Sequence, residues 1–88
     1  MSVAQASRGL KVGVAALTDR RFLFLYFEEV LVDLPNDEIT EVRSEEGSFL
    51  KDNSLTVSTR AETHSFSDLR PKERLAELTA AIESARTS

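Results

Sequence analysis

The stretch Leu17–Phe27, LTDRRFLFLYF, decides the fold of this chain. It begins with a polar turn at 18–21 and continues with six consecutive apolar or aromatic side chains at 22–27. This run is far shorter than the ~20 residues of a membrane span, and it is too aromatic for a surface helix. It therefore predicts a strand that is covered on both faces. The preceding segment LKVGVAAL, at 10–17, predicts its hairpin partner, in which Gly13 permits a bend or a close backbone approach.

The composition favours one small folded domain. The chain has 88 residues, of which 41% are hydrophobic and 30% are charged, as in ordinary soluble proteins. It has no cysteine, which excludes disulfides and thiolate metal sites. The net charge of −4 repels phosphate backbones and anionic lipid surfaces, so we expect no nucleic-acid partner. Lipid binding is disfavoured for the same reason and would need a local basic patch.

Further short strands are predicted beyond the aromatic run. Val30–Leu34 forms the third strand, and Pro35 ends its pairing because proline has no N–H to donate. Residues 36–39 are expected to form a short turn that buries Ile39. The remaining predicted strands are about 40–45, 48–51, 55–59 and 63–66. Together they indicate a meander of short strands.

A helix is predicted at the C-terminal end of the chain, at about 69–86. Ser67 or Asp68 would cap it, and Pro71 would occupy its first turn. The apolar stripe consists of Leu75, Leu78, Ile82 and Ala85. Strand alternation and this stripe together predict a core of Val14, Phe24, Val32, Leu55, Val57, Leu78 and Ile82.

The order of these elements resembles the bacterial pleckstrin-homology-like (PH-like) domains. The matching segments are GVAALTDRRFLF at 13–24, LPNDEITEV at 34–42, LTV at 55–57, the Phe66 strand and the 75–82 helix. The resemblance implies a mainly β, α+β fold: a bent antiparallel sheet or barrel of about six to seven strands, closed by a C-terminal helix.

The resemblance also sets the expected domain organisation. Residues 10–86 would form a single PH-like domain, with strands at about 10–67. Residues 1–9 would be a tail or a partial first strand, whereas the family usually has a further complete strand there. That difference predicts a sheet edge that residues 1–9, another subunit or a partner must cover.

Few side chains suggest catalysis. His64 is the sole histidine, and we interpret it as an ordinary surface or half-buried strand residue. The acidic groups at 28–29, 37–41 and 45–46 do not have the spacing of a calcium loop. We therefore expect no enzyme activity, no cofactor and no metal site. The N-terminal residues lack the features of a secretory signal, so a cytoplasmic location is the expectation.

Two surfaces are candidates for binding. The first is a protein interface formed by Phe22, Leu23, Leu25, Phe27 and Leu31, for a partner chain or for self-association into a homo-oligomer. The second is a basic patch of Arg8, Lys11, Arg20 and Arg21, because inositol-phosphate-binding PH relatives use basic residues near the first hairpin. The turn at 18–21 also has a structural interpretation, in which Asp19 bonds the backbone and Arg21 bonds carbonyls or an acidic neighbour such as Asp19. The leading hypothesis is a protein-binding or scaffolding module, and the alternative is a peripheral membrane or phosphoinositide binder.

Overall fold

A computed structural model describes residues 2–47, 53–70 and 73–86. In this part of the chain, seven antiparallel strands form one sheet and one helix follows them. The strands are β1 (Ser2–Arg8), β2 (Lys11–Leu17), β3 (Arg21–Tyr26), β4 (Glu29–Pro35), β5 (Ile39–Glu45), β6 (Ser54–Thr59) and β7 (Thr63–Arg70), and the helix is α1 (Glu73–Arg86). The strand order is β4-β3-β2-β1-β7-β6-β5, so the sheet is open and its edges are β4 and β5.

The N-terminal residues form a complete strand at the centre of the sheet. β1 pairs with β2 along its whole length and with β7 on its other side. The chain therefore supplies the strand that the sequence pattern left as a tail or a partial strand. Residues 2–8 thus cover this edge themselves, which is one of the alternatives expected from the sequence, and both sides of β1 are paired.

The core lies between the inner face of the bent sheet and α1. Leu75, Leu78 and Ile82 of the helix are buried there, as the apolar stripe predicts. The sheet contributes Ala4, Ala6, Ala15, Leu17, Phe22, Phe24, Val32, Leu34, Ile39, Val42, Leu55, Val57, Phe66 and Leu69. Phe66 contacts both Phe22 and Phe24, with ring centroids 5.6 and 5.1 Å apart. Six of the seven predicted core residues are confirmed.

Val14 is the exception, because its side chain is 41% exposed. Its neighbour Ala15 points into the core instead. Ala15 pairs with Phe24, and Val14 pairs with Leu25. Since successive side chains of a strand alternate between faces, the core position of Phe24 places Val14 outside.

Three irregularities in strand pairing accompany the bend of the sheet. Leu31 is the extra residue where β4 pairs with β3, and Thr40 is the extra residue where β5 pairs with β6. In β7, the residues between Ser67 and Arg70 oppose a single residue of β1, and Asp68 has a φ of 51°. Bulges of this kind increase local twist and bend a strand.

The start of the helix differs from the sequence prediction. β7 continues to Arg70, so Ser67 and Asp68 are strand residues and do not cap a helix that begins near 69. The described part of α1 begins at Glu73. The predicted role of Pro71 and the predicted strand at 48–51 lie outside the described residues. Within the described ranges, no helix is both long enough and apolar enough to cross a membrane.

Two buried asparagines connect loops to strands. Asn53 Oδ1 accepts a hydrogen bond from the Leu69 N–H at 2.7 Å, and its Nδ2 donates to the Leu69 carbonyl at 3.1 Å. Asn36 lies in the short 3₁₀ turn Asn36–Glu38, which the sequence predicted, and Ile39 after it is buried as expected. Asn36 Nδ2 donates to the Thr18 carbonyl at 3.2 Å, whereas its Oδ1 has no hydrogen-bond partner. Both polar atoms of the Asn53 side-chain amide are therefore hydrogen-bonded, whereas only one of those of Asn36 is.

A threonine, rather than the predicted Asp19, closes the turn between β2 and β3. Thr18 Oγ1 accepts hydrogen bonds from the backbone N–H groups of Arg20 and Arg21, at 3.2 and 3.1 Å. Thr59 does the same for Ala61 and Glu62 in the turn between β6 and β7. A hydroxyl placed at the start of a tight turn satisfies N–H groups that the strand ladder leaves unpaired.

Candidate functional site

The outer surface of the first four strands carries a patch of apolar side chains, beside the polar Gln5 and Ser7 of β1 and the ion-paired Arg21 and Asp33. We name as the outer apolar face the side chains of Val3, Val12, Val14, Leu23, Leu25 and Val30. The face follows from strand register: Val14 pairs with Leu25, which pairs with Val30, and together they form one row across β2, β3 and β4. Val12, Val14 and Val30 are 54%, 41% and 54% exposed. The helix packs on the opposite, inner side of the sheet, so it leaves this face uncovered.

A second row lies beside the first. Val3 pairs with Ala16, which pairs with Leu23. Ala16 is buried although it is not part of the core between sheet and helix. Its larger neighbours in the ladder therefore cover it, and the two rows form one continuous apolar surface.

The structure places the predicted interface residues in different environments. Leu23 and Leu25 lie on the outer apolar face and are half-buried, and Phe27 lies beside it in the turn between β3 and β4. Phe22 is fully buried in the core, so it is not available to a partner. Leu31 is the bulged residue of β4 and packs against the core. The predicted strand is present, but the helix covers only its inner face. Of the five predicted interface residues, only Leu23, Leu25 and Phe27 lie on or beside the outer face.

Sequence reasoning missed the valines of this face. A signal for them was present, because the tight turn at 18–21 sets Leu17 opposite Phe22. Counting back along the hairpin then places Ala15 opposite Phe24 and Val14 opposite Leu25. Because Phe24 is a predicted core residue, this register assigns Val14, and with it Val12, to the outer face.

Two hairpin tips project from one end of this face. Phe27, which is 87% exposed, has a φ of 54°, a conformation that bulky residues rarely adopt. Its ring lies 4.6 Å from that of Tyr26, between centroids, and Lys11 Nζ lies 5.5 Å from the Tyr26 centroid. Leu10, at the neighbouring tip between β1 and β2, is fully exposed. Both tips therefore add large apolar side chains to the same end of the surface.

The four basic residues of the predicted patch are not brought together. Arg8 and Lys11 lie at one end of β2, and Arg20 and Arg21 lie at the other. A seven-residue strand separates the two pairs by about 20 Å. Arg21 Nη1 donates to Asp33 Oδ2 at 3.0 Å, so its acidic neighbour is Asp33 on the adjacent strand rather than Asp19.

His64 is buried and takes part in a polar contact at the end of the sheet. Arg8 Nη1 lies 3.1 Å from His64 Nδ1. A guanidinium can only donate, so Nδ1 accepts and the ring proton resides on Nε2. Nε2 lies 2.8 Å from Glu62 Oε2 but is not aligned for a hydrogen bond. These contacts tie β1 to β7, which supports a structural role for the histidine.

The outer surface of the last three strands is chemically different. Its rows are Glu41–Ser58–Thr63, Arg43–Thr56–Ser65 and Glu45–Ser54–Ser67. These residues line an open hollow of about 640 Å³, with the exception of Ser65 and Ser67. The outer surface of the sheet thus carries an apolar patch on β1–β4 and is hydroxyl-rich on β5–β7. Within the residues that the structure describes, no group of three or more His, Cys, Asp or Glu side chains could hold a metal ion.

No protein-family model and no curated protein matches this chain. Its family and function are therefore inferred from its own residues.

Proposed function

We propose that this chain is a non-catalytic PH-like module that binds protein through its outer apolar face. The single observation that carries the proposal is the row Val14–Leu25–Val30, which lies in register across three strands and is partly open to water. Scattered apolar side chains are normal on protein surfaces, whereas a contiguous apolar patch indicates an interaction site. Seven antiparallel strands followed by one helix agree with what the PH-like resemblance implies.

The face supports this role better than the sheet edges do. β4 carries a bulge at Leu31, the charged Asp33 and the terminal Pro35. β5 carries a bulge at Thr40 and the charged side chains of Glu41 and Arg43. Bulges, charges and prolines are devices that prevent a strand edge from pairing with another chain. A partner would gain more from covering the apolar face than from extending either edge.

The membrane-binding alternative has less support. Electrostatic attachment to anionic lipid needs several cations close together, each contributing about 1 kcal/mol. Here the basic residues lie at opposite ends of β2, and Arg21 is paired with Asp33. Glu28 and Glu29 also accompany the exposed tip of the second hairpin. An anionic membrane would meet mixed charge rather than a basic surface.

A site-specific photo-cross-linker in the native cells tests the proposal. The probe replaces Val30 on the outer apolar face, and the control probe replaces Ser65 on the hydroxyl-rich surface, which is also an exposed position. We expect discrete protein adducts from position 30 and none from position 65. Identical adduct patterns from both positions, or no adduct from position 30, would contradict protein binding at this face.

A further inference from the structure

We infer that the occupant of the outer apolar face is a second copy of this chain, packed sheet against sheet. The inference rests on the proposed function, because it names the partner of the same surface. It depends on the charge of the face, its dimensions and its continuity across the strands.

The charge of the face favours a second copy. The chain as a whole carries a net charge of −4, so two copies repel each other over most of their surfaces. On this side of the sheet, Arg21 and Asp33 neutralise each other at 3.0 Å, and the six apolar side chains add no charge. Two copies can therefore approach over this face without setting like charges opposite one another. A basic partner, in contrast, would find its complement on the acidic surfaces elsewhere.

The dimensions of the face suit a small reversible interface. Four strands about 4.8 Å apart and about 20 Å long give a footprint on the order of 400 Å² for the whole outer side of β1–β4, of which the six apolar side chains occupy a part. A standard protein interface buries about 800 Å² of accessible area on each partner, and weak reversible contacts lie below that value. Sheets that stack face to face pack about 10 Å apart, with the side chains of the two faces interdigitated. We therefore expect reversible dimers at micromolar concentration rather than a permanent complex.

A symmetric contact uses the same patch on both copies. Each substitution on the face is then present twice in the dimer, once from each side. Val14 is the best probe, because it lies in the row Val14–Leu25–Val30 and its exposed side chain is not part of the core. Val14→Glu should leave the fold intact and set two buried carboxylates into the contact.

Sedimentation velocity of the full chain between about 5 and 500 µM tests the inference, since this range brackets a micromolar dissociation constant. We expect the mass to rise from 9.8 kDa toward twice that value as concentration increases. Val14→Glu should weaken the dimer roughly 100-fold, and the milder Val14→Thr about 10-fold. Ser65→Glu, which adds the same charge to the hydroxyl-rich surface, should leave the dimer unchanged. Circular dichroism confirms that each variant is folded.

Opposite charges at position 14 in the two copies distinguish a direct contact between the faces from misfolding of the variants. An equimolar mixture of Val14→Glu and Val14→Lys should associate more tightly than either variant alone, because each carboxylate then meets an ammonium group. A misfolded variant would not be rescued in this way.

Results that contradict a second copy as the partner can be distinguished from results that contradict protein binding at this face. A species of 9.8 kDa at every concentration would overturn the second copy as partner. If the probe at Val30 still formed adducts with another protein, the proposed function would stand without this inference. A dimer that Ser65→Glu disrupts and Val14→Glu does not would overturn the assignment of the face itself. Absence of both the dimer and the adducts would overturn both proposals.

Discussion

The carbonyl oxygen of Leu25 lies only 2.0 Å from the position that a Cβ atom at Gly13 would occupy. The end of the Phe24 ring lies 3.1 Å from the same point. Real Cβ atoms do not approach a backbone oxygen so closely, so β2 and β3 can adopt this spacing only with glycine at position 13. The close approach anticipated from the sequence is therefore present, and Leu25 is the residue that makes it.

Gly13→Ala should lower the free energy of unfolding by at least about 2–3 kcal/mol, because a backbone atom cannot give way as a flexible side chain can. Chemical denaturation measures the change. Gly9→Asn is the matched control: Gly9 has a φ of 63° and open space around it, and asparagine tolerates that conformation. We expect that control to stay within about 1 kcal/mol of the wild type. Equal losses at both positions would contradict the steric argument.

Truncation of a side chain should lower stability much more on the inner face of the sheet than on the outer face. Phe24→Ala and Leu78→Ala should each cost about 2–5 kcal/mol, since both side chains are fully buried. Val14→Ala should cost about 0.5 kcal/mol or less in the monomer, because its side chain faces outward. Thermal melts at low protein concentration compare the three variants. A loss of stability at Val14 as large as that at Phe24 would show that the Val14 side of β2 faces the core, contrary to the structure.

The two buried asparagines should differ in their contribution to stability. Asn53→Ala removes both the acceptor and the donor that satisfy Leu69, and it should cost about 2–3 kcal/mol. Asn36→Ala removes one side-chain hydrogen bond and also removes a carbonyl oxygen that has no partner, so it should cost about 1 kcal/mol. Urea unfolding of the two variants gives the comparison. The reverse order would show that Asn36 has a satisfied oxygen in solution.

The turn at 18–21 should depend on its threonine. Thr18→Ala removes the acceptor of two backbone N–H groups and should cost about 1 kcal/mol. Arg21→Ala breaks an exposed ion pair with Asp33 and should cost about 0.2–1 kcal/mol. Asp19→Ala serves as the control on an exposed neighbour, with an expected effect within about 0.5 kcal/mol. A dominant effect at Asp19 would restore the sequence interpretation of this turn.

Anionic vesicles should bind the chain weakly at both low and physiological salt, because the basic residues do not form one surface. Co-sedimentation measures the bound fraction. The double substitution Arg20→Ala with Arg21→Ala should leave that fraction unchanged. Strong binding that fell as salt rose, and that the double substitution abolished without changing the melting temperature, would favour the membrane alternative.

Several features of the fold could be predicted from local patterns. The 18–21 turn, the aromatic strand after it and the short turn that buries Ile39 all follow from neighbouring residues. The helical stripe of Leu75, Leu78 and Ile82 does as well. The predicted helix start is wrong because β7 continues past a bulge at Asp68 to Arg70. Strand periodicity does not predict such a bulge.

The candidate site was only partly predictable, because the pairing of strands decides which residues share one surface. Leu23, Leu25 and Phe27 were identified, but Val12, Val14 and Val30 were not, and Phe22 was assigned to a surface that it does not reach. The basic residues appeared close in sequence to the first hairpin, yet β2 holds them apart.

By itself, the sequence determined most of the strand segments and the apolar stripe of the helix, because periods of two and 3.6 residues are local properties of the chain. Only the tertiary structure decided which side of each strand faces inward, because an apolar strand such as β2 satisfies its own alternation with either face in the core. That choice was made by pairing with β1 and β3 and by the helix, which covers the side with Ala15 and Leu17. The same pairing placed β1 at the centre of the sheet. The uncovered valines on its other side are thus a product of long-range contacts between strands.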